Sequence, residues 1–264
     1  MPMITLGDLS VHYEQRGRGE PVLLIHGLGS STEDWDPQVD ALAGEFTVIT
    51  YDVRGHGKTA KPDGKYTVPQ FSDDAARLIR HLALGPVHVM GLSMGGMIGF
   101  QLAVDHPELV RSLIIVNSGP EMIVRTWRER VAILQRRLIV RMMGMRKMGE
   151  VLAGRLLPAP EHGALRATFA DRWARNDKGA YLRALSALVG WSVMARLPSI
   201  TCPVLVVSGD LDYTPVAWKR DYTSRMPHAS LVVIPDSRHM MPVEKPQQFH
   251  DAIIPFLSTQ GATA

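Results

Sequence analysis

The feature that most constrains this chain is an alternation of short apolar runs with stretches of helical spacing. Val22-Leu23-Leu24-Ile25, Thr47-Val48-Ile49-Thr50-Tyr51, Val87-His88-Val89-Met90, Leu113-Ile114-Ile115-Val116, Val204-Leu205-Val206-Val207 and Leu231-Val232-Val233-Ile234 are apolar almost throughout. Runs of that length fit strands buried on both faces of a parallel sheet. Leu9-Ser10-Val11-His12-Tyr13 instead alternates with period two. Between the runs, Phe71, Ala75, Leu78, Ile79 and Leu82 fall on one face of a helix that Pro69 opens and Gly85 closes. Met94 to Val104 reads as a second helix. Strands separated by helices of this length imply right-handed βαβ units and an open, mostly parallel sheet. Pro255 interrupts the C-terminal helical pattern of Phe249, Ile253 and Phe256, which predicts a kink. The stretch from Gln260 to Ala264 is expected to fray.

From about Pro120 to Arg196 the strand pattern stops. This segment is dense in Arg, Leu and Met, with breaks at Gly144, Gly154 and Leu157-Pro158-Ala159-Pro160. It reads as three to five helices inserted between two strands, a cap over residues 120–196 on a core formed by 1–119 and 197–264. A chain of 264 residues suits one such domain with an inserted subdomain. The single cysteine, Cys202, excludes an intrachain disulfide and a cysteine-based zinc site. No apolar run approaches the ~18 residues that span a bilayer. Met1-Pro2-Met3-Ile4-Thr5 has neither a basic nor an apolar leader region, so the expectation is a cytoplasmic protein, monomer or homodimer. The sequence pI of about 9.1 raises the question of a nucleic-acid partner. With 6% aromatic residues and no basic motif interleaved with aromatics, none is expected.

Gly91-Leu92-Ser93-Met94-Gly95 matches G-x-S-x-G and stands where a strand gives way to a helix. Small residues on both sides of the serine suit a strained, tightly packed turn, and the helix N-terminus aims amide donors at an attacked carbonyl. His26-Gly27-Leu28-Gly29 follows the first buried strand and is placed to present the Leu28 amide beside that of Met94, a two-amide oxyanion hole. The His26 side chain reads as structural, as does His56. A serine hydroxyl needs a base, and the base an orienting carboxylate. His239, after the last strand, fits the base; Gly209-Asp210-Leu211-Asp212, after the preceding strand, supplies two carboxylates.

Together with Asp52-Val53-Arg54-Gly55-His56-Gly57 and Arg238-His239, these loops resemble the signature loops of the α/β-hydrolase superfamily. They are most similar to its small bacterial carboxylesterases, enol-lactonases and cofactor-free haloperoxidase-like esterases. The resemblance covers about residues 1–119 and 197–258. It implies an α/β-hydrolase fold: a mostly parallel eight-stranded sheet flanked by helices, with an inserted helical cap. It implies a catalytic triad of Ser93, Asp212 and His239, with no cofactor and no metal; its G-x-x-D pattern selects Asp212, which also lies further out of the sheet than Asp210. Two departures stand out. Arg238 occupies a position where relatives usually carry glycine, and Asn117 fills the alternative site for the acid, after the sixth strand.

The expected function is hydrolysis of small-molecule carboxylic esters or lactones through an acyl-enzyme. A C–C bond hydrolase or thioesterase on the same fold remains open, as does a non-catalytic receptor. The inserted segment holds fifteen Lys/Arg against six Asp/Glu, and the rest of the chain fourteen against twenty. Two readings of this basic cap are open. In one, Arg125, Arg128 and Arg137 point to the cleft mouth and bind an anionic group of the substrate. In the other, the arginines are solvated while Leu134, Leu138, Met142, Met145, Met148 and Leu152 face inward and line an acyl pocket.

Overall fold

The structure is a computed structural model that describes residues 2–260. Its sheet has eight strands: β1 (Met3–Leu6), β2 (Leu9–Gly17), β3 (Glu20–Ile25), β4 (Phe46–Tyr51), β5 (Val87–Leu92), β6 (Val110–Val116), β7 (Val204–Gly209) and β8 (Ala229–Ile234). The spatial order is β1-β2-β4-β3-β5-β6-β7-β8. β2 pairs antiparallel with β1 and β4, and all other pairings are parallel. The alternation of apolar runs therefore gives the expected sheet. The short β1, with its mixed Met3-Ile4-Thr5-Leu6, is an addition that pattern reading missed.

Burial on both faces explains why the central strands are apolar throughout. Leu23, Ile25, Val89, Leu113, Ile115, Val204 and Val206 enter one core layer, while Val22, Leu24, Met90, Ile114, Val116, Leu205 and Val207 enter the other. The first layer is covered by α2 (Val68–His81) and α3 (Met94–Asp105), the second by α1 (Asp36–Leu42) and α9 (Pro246–Gln260). Thr67 caps α2, its hydroxyl accepting from the Gln70 amide at 3.2 Å, with a proline in the first turn as the sequence suggests. α9 runs on through Pro255 to Gln260, so the proline does not end it; the remaining expected frayed residues lie outside the described ones.

Between β6 and β7 come α4 (Trp127–Leu156), α5 (Gly163–Ala174) and α6 (Lys178–Leu188); α7 (Val216–Thr223) and α8 (Met241–Glu244) follow later. Thr126 and Glu129 form a capping box at the start of α4. Gly144 lies within α4 at φ 83°, a left-handed residue at a kink, whereas Gly154 interrupts nothing. The two ends of the insertion meet: the Met122 amide donates to Trp191 O at 2.8 Å and the Val193 amide to Pro120 O at 2.8 Å. The inserted helices share the core of the sheet. Ala180, Ala184 and Leu188 join one apolar layer; Val140, Met145, Phe169 and Trp173 join the other.

One expectation is corrected. Leu134, Leu138 and Met142 do not face inward: they are 64%, 55% and 76% exposed. With Trp127 and Val131 they recur every three to four residues and form one outward stripe of α4. Of the six residues expected to line a pocket, Met145 and Met148 are buried, and Met148 and Leu152 line cavities. Among the described residues, no helix is long and apolar enough to cross a membrane.

Candidate active site

The strand order changes direction around β3, with β4 on one side and β5 on the other. At such a switch point the loops leaving the strand ends diverge and open a crevice. Ile25 pairs with Gly91, so the loops after β3 and β5 start level with each other. Ser93 stands alone between β5 and α3 at φ 54°, ψ −114°. A non-glycine residue held there costs on the order of 1–3 kcal/mol and needs surrounding bonds to hold it. They are present. The Ser93 amide donates to Val116 O at 3.0 Å, and Ser93 O accepts from the Gly96 amide at 2.9 Å and the Ser118 hydroxyl at 2.6 Å. A side chain at Gly91 would run into the Gly95 carbonyl, and one at Gly95 into the Ile25 carbonyl. The two flanking glycines thus let the turn pack against its neighbours.

The Leu28 and Met94 amides flank this turn, and among the described residues neither finds a protein acceptor. The His26 ring is buried, with Nδ1 2.8 Å from Gly27 O and Nε2 accepting from the Val53 amide at 3.0 Å. That bond fixes Nε2 as an acceptor, and burial lowers the pKa. His26 is therefore a neutral brace for the Leu28 loop. His56 is likewise buried, and its pKa is pulled down to about 3, first by burial and then by nearby His26. His12 and His88 have partners that the sequence did not signal, Asp52 at 3.1 Å and Ser112 at 2.8 Å.

The other wall is built by the loops after β7 and β8. His239 Nδ1 lies 2.8 Å from Asp212 Oδ1. Asp210 points elsewhere: its Oδ1 accepts from the Ser237 amide at 3.1 Å and so ties the two loops together. Arg238 needs no glycine, because the left-handed residue of this loop is Asp236, at φ 51°. The Arg238 amide donates to Glu244 at 2.7 Å.

Three residues to which the sequence reading gave no role complete this arrangement. Lys219, on α7, is 0% exposed, and its ammonium donates to Asp212 Oδ2 at 2.6 Å, Ser208 Oγ at 2.8 Å and Asn117 Oδ1 at 3.1 Å. Asn117 is more than a vacancy for an acid. Its Oδ1 also accepts from the Gly209 amide at 2.9 Å, and its Nδ2 donates to Arg238 O and His239 O at 2.9 and 3.1 Å. Burial pushes the Asp212 carboxyl up, but the bond to His239 and the His239 and Lys219 charges outweigh it and hold it at about 2. An ionised carboxylate can only accept, so Nδ1 of His239 carries the proton and Nε2 is basic.

The third is Tyr213. Its hydroxyl lies 3.0 Å from His239 Nε2, and its ring is tilted against the imidazole at 4.3 Å. The phenol thus shares a cavity wall with Ser93 and His239, although the residue as a whole is 66% exposed. A signal for Lys219 did exist: it lies three residues before Tyr222 on the buried side of α7. Nothing in the sequence marked Tyr213.

Above these residues lies a cavity of about 310 Å³ lined by Leu28, Ser93, Met97, Arg136, Trp173 and His239, among others. A second cavity of about 430 Å³, under α4, shares the walls Met122, Arg136, Leu152, Arg155, Leu185 and Tyr213. A charged hollow beside Gly29 is lined by neither Ser93 nor His239, and its Arg172 and Arg175 are already paired with Asp34 and Glu33. None of the expected anion-binding arginines lines either of the two cavities. Arg125 pairs with Glu121 at 2.8 Å, Arg128 lies over the exposed Trp127 ring, and Arg137 donates to Ser186 at 3.1 Å. Arg136 and Arg155 take the position assigned to them. Among the described residues, no group of three His, Cys, Asp or Glu is placed to hold a metal ion.

Comparison with known proteins identifies the family and matches the fold. The model of the "Alpha/beta hydrolase family" matches residues 22–252. The chain is 31% identical to a putative carbamate hydrolase RutD of Caulobacter vibrioides, over 97% of this chain and 99% of that one. The enol-lactonase of Burkholderia xenovorans LB400 superposes with a TM-score of 0.90 at 26% identity, covering 97% of this chain and 100% of the other. A thermophilic esterase from Thermogutta terrifontis gives 0.88 at 28%, covering 98% and 97%. With the family model spanning both sides of the insertion, and the fold and the turn at Ser93 in agreement, this chain belongs to the alpha/beta hydrolase family.

Proposed function

We propose that this hydrolase cleaves carboxylic esters or lactones through an acyl-enzyme on Ser93, with residues 120–196 as its cap. The observation that carries the reading is the His239–Asp212 bond of 2.8 Å, facing a strained serine that has two unpartnered amides beside it. Substrate entering the cavity displaces the Tyr213 hydroxyl from Nε2. The Ser93 oxygen then attacks the acyl carbon while His239 Nε2 takes its proton. The imidazolium keeps its Nδ1 proton on the Asp212 carboxylate, and the Leu28 and Met94 amides donate to the oxyanion. His239 passes the proton to the leaving oxygen, and water, activated by the same nitrogen, releases the acid. Asn117 and Lys219 position the carboxylate and the histidine loop.

A second substrate reading is favoured by the relative named as a putative carbamate hydrolase. A carbamate carbonyl offers the same nucleophile the same target. A panel of esters, lactones, thioesters, β-diketones and carbamates at neutral pH, run beside Ser93→Ala, tests both. Turnover of esters or lactones that the variant lacks is the expected result. A preference for carbamates moves the assignment to the second reading, and equal rates for wild type and Ser93→Ala refute both.

A further inference from the structure

α4 carries an apolar stripe on its outer face in addition to the buried Val140 of its inner one. Trp127, Val131, Leu134, Leu138 and Met142 point outward, and Arg136 falls on the opposite face. Its side chain lines both the cavity that contains Ser93 and the cavity under α4. It does not lie there by chance flexibility. The guanidinium rests over the Trp173 ring at 6.0 Å and the Tyr181 ring at 5.5 Å, and its Nε donates to the Tyr181 hydroxyl. Burial raises the Tyr181 pKa, so that phenol is neutral and supplies no counter-charge.

Most other arginines near the site are already paired, and Arg155, which lines both cavities as well, is exposed to solvent. Arg172 bonds Glu33 and Asp34, Arg175 bonds Glu33, and Arg183 pairs with Asp63 at 3.3 Å. Arg136 has no carboxylate within ion-pair distance among the described residues. A second donor beside it also lacks a partner: Trp173 is 3% exposed, lines the same cavity, and its indole N–H finds no hydrogen-bond partner among the described residues. A half-buried cation and an orphaned donor on one cavity wall are costly unless a ligand brings acceptor oxygens. The planar guanidinium fork, with Nε engaged and its terminal nitrogens uncommitted, matches a carboxylate in two-point contact.

We propose that Arg136, together with the Trp173 indole N–H, binds a carboxylate carried by the substrate, so that the ester or lactone cleaved at Ser93 is itself an anion. This rests on the ester-hydrolase reading for its catalytic arm but not for its binding arm. The first measurement compares kcat/KM for mono-4-nitrophenyl glutarate, which keeps a free carboxylate, with 4-nitrophenyl pentanoate, its neutral counterpart of equal acyl length. In wild type the anion is preferred. Arg136→Met lowers the anion-to-neutral ratio on the order of 10- to 100-fold, mainly through KM, as expected for losing hydrogen bonds to a charged group. Arg136→Lys recovers part of the ratio. Arg141→Gln, which removes the same charge from an exposed position of the same helix, leaves the ratio within about twofold, because an exposed charge is screened by salt.

The second measurement needs no turnover. Glutarate binding to Ser93→Ala is followed by calorimetry, with and without Arg136→Met, and thermal melts check that each variant is folded. Binding that is lost with the Met substitution supports the subsite even if neither ester is hydrolysed, in which case it is the hydrolase reading that fails. An unchanged ratio in folded Arg136→Met, or glutarate binding that does not depend on Arg136, overturns the subsite. A ratio that falls equally in Arg141→Gln overturns it as well, and leaves only the general field of a basic cap.

Discussion

The strand-end loops and the inserted helix α4 dispose of polar groups in opposite ways. At the strand ends, the buried groups around the acid and the histidine are matched to one another: Lys219 to three acceptors, Asp212 to Lys219 and His239, and Asn117 to two loops at once. On α4, apolar residues face solvent, and an arginine without a carboxylate faces the cavity. The sheet is covered on both sides, so its backbone leaves no choice of buried face. A helix that roofs a cavity borders water or ligand on its inner side, and its apolar stripe need not mark the interior. Polar groups in the first region hold geometry, whereas in the second they await a ligand.

The largest expected effect separates two carboxylates of the same loop. Asp212→Asn lowers kcat by about 10⁴, because an amide favours the wrong tautomer of His239. Asp210→Asn leaves kcat within about tenfold and acts on stability by freeing the Ser237 amide. Steady-state kinetics and a denaturant melt of each variant check this pair, and a reversal of the two results would assign the acid to Asp210.

Next comes the contrast between buried and exposed ion pairs. Lys219→Met strips Asp212 of one partner inside the protein and is expected to cost about 3–5 kcal/mol in urea unfolding. Lys147→Gln, which breaks an exposed i,i+3 pair on α4 with Glu150, should cost no more than about 1 kcal/mol. Similar costs for the two would erase the distinction drawn between the regions.

Acid sensitivity should also belong to the sheet loops. His56 has a pKa of about 3 when folded and about 6.5 by default when unfolded. Between those values the unfolded chain holds more protons, so stability falls as pH drops through that window and levels off below it. Asp212, at about 2 folded against 3.8 by default, adds stability above its unfolded value that is lost as pH falls towards 2. Unfolding free energies of His56→Gln measured at pH 7 and pH 5 should differ less than those of wild type. An undiminished difference would show that His56 does not supply the acid lability.

The smallest expected effect bears on the orientation of α4. Leu138→Ser should change stability by no more than about 0.5 kcal/mol, as for a surface site. A loss of 2–5 kcal/mol, the range for truncating a buried leucine, would turn the apolar stripe inward after all.

What the sequence made legible follows the same division. Five apolar runs located the inner strands because burial on both faces leaves one pattern, and the sixth gave the edge strand β8, where Val232 and Val233 are exposed. The elbow at Ser93 was legible because its turn requires small neighbours, and Asp212 and His239 because they follow strands. Asn117 was noticed only as a missing acid; its role in clamping two loops depends on contacts with residues about 90 and 120 positions away in the chain. Tyr213 and Lys219 were missed since their partners are likewise set by tertiary structure. Among the arginines, the sequence reading named Arg137, whereas Arg136, about 100° round the helix, lines the cavity.

The most direct test of the proposed chemistry is labelling with a fluorophosphonate, followed by intact mass and peptide mapping. A single adduct on Ser93, formed more slowly in Asp212→Asn and absent from Ser93→Ala, is the expected result. No adduct on folded wild type, or one located on another residue, would contradict an activated serine at this site.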